Sequence, residues 1–178
     1  GNCLFTSASI LLIGSETFSG ILRLLTVAKL FAHSDFCRDH PQIAEFSQAS
    51  GYSKWAIFNI LLRDDSATDV FVRNPNNASR AIECLAKVSA KPYIFSSKFH
   101  ILALASVIGR PIFSVYPDIP GAMAIKNAFH RTCYPRESFM ENSFLNAADP
   151  VYHVDKSEYF PITRLDTKSF CTACTKTT

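Results

Sequence analysis

Glycine is scarce in this chain and never clustered: six glycines are spread singly through 178 residues. That excludes a phosphate-cradling loop, which needs several glycines in one turn so that backbone amides converge on the anion. No His-Glu-x-x-His is present, so the helix-borne zinc-protease pattern is excluded too. Long apolar runs are missing: the best of them, residues 101–108, falls far short of the roughly 20 residues that cross a bilayer. Lys and Arg are scattered and the net charge is only +3, so the chain has no basic stripe suited to nucleic acid or an anionic membrane surface. Six cysteines lack the dense spacing of a small secreted disulfide scaffold and read as reduced thiols of an intracellular protein, cytoplasmic or nuclear.

What is present is ordinary globular composition. Hydrophobic residues make up 48% and charged residues 19%, and 15 Phe against one Trp predict an aromatic-rich interior. The length suits one domain with a core of its own. The chain begins at Gly1, without a methionine and already inside a functional-looking turn. It is therefore expected to be a piece of a longer protein, with residues 1–165 as one domain truncated at its N-terminus and residues 166–178 as a polar tail or the start of a following segment.

Gly1-Asn2-Cys3-Leu4-Phe5 running into Thr6-Ser7-Ala8-Ser9-Ile10-Leu11-Leu12 predicts a loop that delivers Cys3 to the first turn of a buried helix. Ser19-Gly20 opens a second helix, with Arg23, Thr26 and Lys29 on its polar side. Residues 35–53 are turn-rich and suit a loop or short helices. Apolar clusters follow around Trp55–Leu62 and in a helix from Ser79, the two separated by a strong turn at Asn74-Pro75-Asn76-Asn77. Residues 97–108 repeat at helical spacing, Gly109 stands where a C-cap glycine belongs, and Pro111-Ile112-Phe113-Ser114-Val115-Tyr116 switches to a β-rich run, read as a central strand. A second strand is expected between Phe129 and Tyr134, and a final hairpin with arms at Val151–Val154 and Tyr159–Ile162. The fold class is α/β (α+β), a small central sheet flanked by helices, with the cysteine-bearing helix at the N-terminus.

Cys3 has two readings. A thiol on the first turn of a helix meets the positive end of the dipole and unpaired N–H groups, which favour thiolate and can donate to an oxyanion; it can equally be a small core residue. As nucleophile it needs a base, and among five histidines His153 stands out because Asp155, two residues on in a hairpin arm, shares its face and can orient the ring. The bland alternative is a solvated His-x-Asp loop. Cys171-Thr172-Ala173-Cys174 has zinc spacing but no second pair after it, so it is either two incidental cysteines or half a knuckle. No metal site and no cofactor are assigned.

The Gly1-Asn2-Cys3-Leu4-Phe5 turn resembles the Asp-Gly-Asn-Cys-Leu-Phe/Tyr turn of the ovarian tumour (OTU) family of cysteine proteases, which remove ubiquitin from substrates. Leu22–Thr26 and Ile101–Pro117 resemble OTU-like domains of animal proteins, and more closely the vertnin-like branch. Phe129-His130-Arg131, Pro135-Arg136 and Glu158-Tyr159-Phe160 continue the likeness over nearly the whole chain. The resemblance implies a Cys–His thiol isopeptidase: Cys3 as nucleophile, the turn at Gly1 and Asn2 as oxyanion hole, and ubiquitin or a ubiquitin-like protein as partner. It also implies a departure. Active members open the last strand with a histidine, and here Tyr159 occupies that place; a phenol with a pKa near 10 is a poor base at neutral pH. Unless His153 supplies the base, the resemblance implies a catalytically inactive interaction module inside a nuclear regulatory protein. Any contact with nucleic acid would then come from segments outside this piece.

Overall fold

The computed structural model describes residues 2–62, 75–116, 118, 120 and 123–139. The expected hairpin at 151–162, with His153, Asp155 and Tyr159, lies outside the described residues, as do Gly1, Cys171 and Cys174.

Helix α1 (Cys3–Ile13) begins at the cysteine, its first turn closed by the Thr6 N–H donating to the Asn2 carbonyl at 3.0 Å. Gly14, at φ 72°, ends it, a left-handed conformation that glycine adopts without penalty. A 3-10 turn (Glu16–Phe18) then reverses the chain into α2 (Ser19–Ala32). Ser9, buried on α1, stitches the corner: its hydroxyl donates to the Ser15 carbonyl at 2.5 Å and accepts from the Phe18 N–H at 3.1 Å.

Short helices α3 (Ser34–Arg38) and α4 (Pro41–Ser50) occupy the stretch expected as loop or short helices. Pro41 sits where its missing N–H is harmless, at the start of α4. Helix α5 (Lys54–Leu62) follows, and beyond it a 3-10 turn (Pro75–Asn77) leads into α6 (Ala78–Ser89). In α6 the spacing of Ala78, Ala81, Ile82, Leu85, Ala86 and Ser89 gives one inward face, against α2 and α3. Helix α7 (Lys98–Ile108) is the centre of the core. Phe99, Leu102, Ala103, Leu104 and Ala105 are all buried there, against α2, α5 and both strands. The Phe99 ring stands 5.1 Å from Phe58 of α5.

Gly109, at φ 68°, closes α7 and feeds β1 (Ile112–Ser114); α8 (Met123–Phe129) then leads to β2 (Arg131–Cys133). The strands pair antiparallel, with Ile112 opposite Cys133 and Ser114 opposite Arg131.

Three expectations are corrected. Among the described residues the protein is mostly helical with one two-stranded sheet, so β1 is not a central strand there. Helix α1 is not an inner helix: only Phe5 and Ser9 are buried, and Ile10, Leu11, Leu12 and Ile13 are all exposed. The polar side assigned to α2 is turned inward, because Arg23 and Thr26 are buried while Ile21, Leu24 and Leu25 face water. The reason lies at the end of α6, where the Ser89 carbonyl, together with that of Lys91 in the following loop, accepts from the Arg23 guanidinium and so makes its burial tolerable.

No helix among the described residues is long and apolar enough to cross a membrane.

Candidate functional site

The start of α1 places Cys3, partly buried, on the helix's first turn, and no disulfide engages Cys3, Cys37, Cys84 or Cys133. The residue before it is fixed unusually well. Asn2 makes no side-chain cap to its own helix. Its Oδ1 instead accepts from Arg23 Nη2 at 2.5 Å and from the Tyr93 backbone N–H at 3.2 Å. Arg23, itself only 6% exposed, also donates from Nη1 to the Ser89 carbonyl at 3.0 Å and to the Lys91 carbonyl at 3.1 Å. Its guanidinium lies 4.6 Å above the Phe5 ring, a cation–π contact strengthened by burial. One cation therefore ties the turn before the thiol to α2 and to the loop after α6.

Tyr93, in that loop, has φ 67° and is the one non-glycine residue with positive φ among those described. A bulky residue held there costs about 1–2 kcal/mol, and the hydrogen bond its N–H donates to the Asn2 Oδ1 helps to hold it.

Three of the four histidines within the described residues are engaged in other work. His40 Nδ1 accepts from the Gln42 N–H at 3.2 Å and caps α4; His100 Nδ1 accepts from the Ser97 N–H at 2.9 Å and caps α7; His130 Nδ1 accepts from the Tyr116 N–H at 3.2 Å. Burial pushes His40 and His100 down to about 4, with the Lys98 cation adding to the effect on His40 and the Arg23 cation to that on His100. Both are neutral at physiological pH. The His100 ring stands edge-on to Phe5 with centroids 6.4 Å apart, and its Nε2 is buried without a hydrogen-bond partner. His100 is a core residue. His33 lies at the junction of α2 and α3, where burial and the Arg136 charge lower its pKa.

Cys37 and Cys133 are unsuited to nucleophilic work. Burial pushes the Cys37 thiol up to about 12 and raises Cys133 as well. Among the described residues no group of three or more His, Cys, Asp or Glu stands close enough together to hold a metal ion.

The geometry thus offers a partly accessible thiol on a helix's first turn, braced from behind by a buried cation. A family model described as "Vertnin, OTU domain" matches residues 1–147. The chain belongs to the vertnin OTU-domain family. Three similar proteins are vertnins: that of Homo sapiens is 29% identical over 172 residues, that of Bos taurus 28% over 172, and that of Ailuropoda melanoleuca 30% over 173. Each match covers 93% of this chain but only 23%, 25% and 23% of the respective vertnin. The chain therefore spans about a quarter of the length of those relatives. No solved structure matches.

Of the residues the sequence singled out, Asn2 stands at the N-cap of α1 and Cys3 on its first turn. Arg23 and Tyr93 were missed. A lone cation inside the apolar run Ile21-Leu22-Arg23-Leu24-Leu25 was the available signal for Arg23, while nothing local marks Tyr93.

Proposed function

We propose that this vertnin-family domain is an OTU-type thiol isopeptidase, with the finer OTU arrangement of a small central sheet flanked by helices and an intracellular site of action. The observation that carries the reading is the position of Cys3: first residue of α1, partly accessible, behind an Asn2 turn held by a buried guanidinium. A thiolate there attacks the carbonyl of a ubiquitin-linked lysine amide, and backbone N–H groups of the turn at Gly1 to Cys3 receive the oxyanion. His153 takes the thiol proton and returns it to the departing amine, Asp155 orients the ring, and water then cleaves the thioester. The test is the full-length protein and a ubiquitin carrying a C-terminal electrophile. A covalent adduct lost in Cys3→Ala is expected; no adduct, or one that Cys3→Ala leaves intact, overturns the reading.

A second reading is favoured by one residue. The resemblance to OTU proteases puts Tyr159 at the place of the histidine of active members, and with a phenol there the domain serves as a non-catalytic interaction module of a nuclear regulatory protein. Under this reading the probe gives no adduct, while the Cys3→Ala and unmodified proteins bind their partner equally.

A further inference from the structure

The guanidinium of Arg23 has no counterpart among the roles assigned so far, and its surroundings are specific. It is buried in α2, on the side that periodicity assigns to solvent, and it is held at four points. These are the Asn2 Oδ1, the Ser89 and Lys91 carbonyls, and the face of Phe5. They come from separate parts of the chain. Asn2 and Phe5 flank Cys3 in sequence, Ser89 ends α6, and Lys91 lies in the loop that presents Tyr93. A buried arginine with that many partners is a jig: its planar fork fixes the relative positions of whatever accepts from it.

We propose that Arg23 is a positioning residue for Cys3, setting the geometry of the Asn2 turn and adding a fixed positive charge beside the start of α1. The proposal rests on the reading of Cys3 as a nucleophile. Asn2 is the relay: its single Oδ1 accepts from both Arg23 and the Tyr93 amide, so the turn cannot swing without breaking both bonds. The other charged groups near α1 are less placed to act. On α2, Lys29 pairs with Glu137 at 3.1 Å, Glu16 of the 3-10 turn is exposed, and Lys91 meets Arg23 through its backbone carbonyl. A cation bonded to the side chain of the residue before a cysteine favours the thiolate, as does the helix N-terminus itself.

The two side chains displayed by the same loop add a consequence. Tyr93 is 75% exposed and Phe95 82%, more than any other large hydrophobic residue among those described. Whatever touches Tyr93 is therefore one backbone hydrogen bond from Asn2 and two from Arg23.

The experiment is the pH dependence of Cys3 alkylation by iodoacetamide in the full chain, read by peptide mass, with Cys84 as an internal reference. Arg23→Gln is expected to move the Cys3 midpoint up by about one pH unit and to leave Cys84 alkylation unchanged; Arg23→Lys, which keeps the charge but loses the fork, restores part of the shift. Because a buried arginine is a demanding site, Asn2→Ala is the second variant: it removes the relay at the edge of the fold. Its expected signature is the same upward midpoint with faster hydrogen exchange at the Tyr93 amide. Midpoints that stay put in Asn2→Ala and in folded Arg23→Gln overturn the proposal. So does an Arg23→Lys variant no better than Arg23→Gln, which would mean a purely structural arginine. A Cys3 that alkylates in the unsubstituted chain like an ordinary exposed thiol, yet still shifts in the variants, sinks the hydrolase reading and leaves the brace standing.

Discussion

Lowering the pH from 7 to 5 is expected to destabilise this protein steeply, through two histidines that the fold keeps neutral. His40 and His100 are 1% and 0% exposed, and each is held at about 4 by burial and a neighbouring cation. In the unfolded chain both regain a pKa near 6.5. Below about pH 6.5 the unfolded chain takes up protons that the folded chain refuses. Stability is therefore full above that pH, falls as pH drops toward 4, and levels out below. For one such histidine the linkage relation gives a loss of about 2 kcal/mol between pH 7 and pH 5, and so roughly 4 kcal/mol for the pair. That is a large share of the ~5–15 kcal/mol that holds a typical domain together. Asp39 and Glu137, whose pKa values the fold lowers, act at lower pH, because an unfolded carboxylate takes up its proton near pH 4. The window from 7 to 5 belongs to the histidines.

Urea titrations followed through the single tryptophan, Trp55, measure the effect directly. His100→Asn removes one titrating group while its side-chain oxygen still accepts from the Ser97 N–H, so the fall between pH 7 and 5 should shrink by about half. Equal urea midpoints at pH 7 and 5, or an undiminished fall in the double variant with His40→Asn, would refute the reasoning.

Further outcomes follow from single features. Gly109→Ala meets no atom within 4 Å but must adopt φ 68°, so a loss of about 1–2 kcal/mol is expected from backbone strain alone, read as a shift in urea midpoint with unchanged slope. Phe99→Ala empties a fully buried site against Phe58 and should cost about 3–5 kcal/mol, checked by the same titration. Asp39, which accepts from Arg38 and Lys54 at the surface, is held below the usual carboxylate range chiefly by the Arg38 hydrogen bond. Its contribution is present above about pH 4 and lost as pH falls, and Asp39→Asn at pH 7 should cost less than about 1 kcal/mol, an effect that 0.5 M salt largely removes.

The helix ends were the most legible part of the fold. The α1 start at Cys3, the α2 start at Ser19, the glycine stop at Gly109 and the switch to β1 all rest on local chemistry that the nearest few residues decide. The strand expected between Phe129 and Tyr134 is β2. What failed was the assignment of faces. Periodicity assigns a face by composition, and α2 has apolar residues nearly all round, so the choice fell to tertiary partners. Carbonyls from α6 and the following loop, 66 and 68 residues away in sequence, draw Arg23 inward. The thiol's turn was legible because Gly1-Asn2-Cys3 is a local pattern. The brace behind it was not, since its members come from the start of α1, from α2, and from α6 and the loop after it.

The outward side of the first helical hairpin has a bearing on how these positions vary. Ile10, Leu11, Leu12, Ile13, Ile21, Leu24 and Leu25 each leave between 42% and 60% of their surface in contact with solvent. Their replacement by polar residues would sacrifice little interior packing and would raise the solubility of this stretch of chain. Aliphatic side chains kept at such places answer to what the surface meets, so here tolerance to substitution measures company rather than folding.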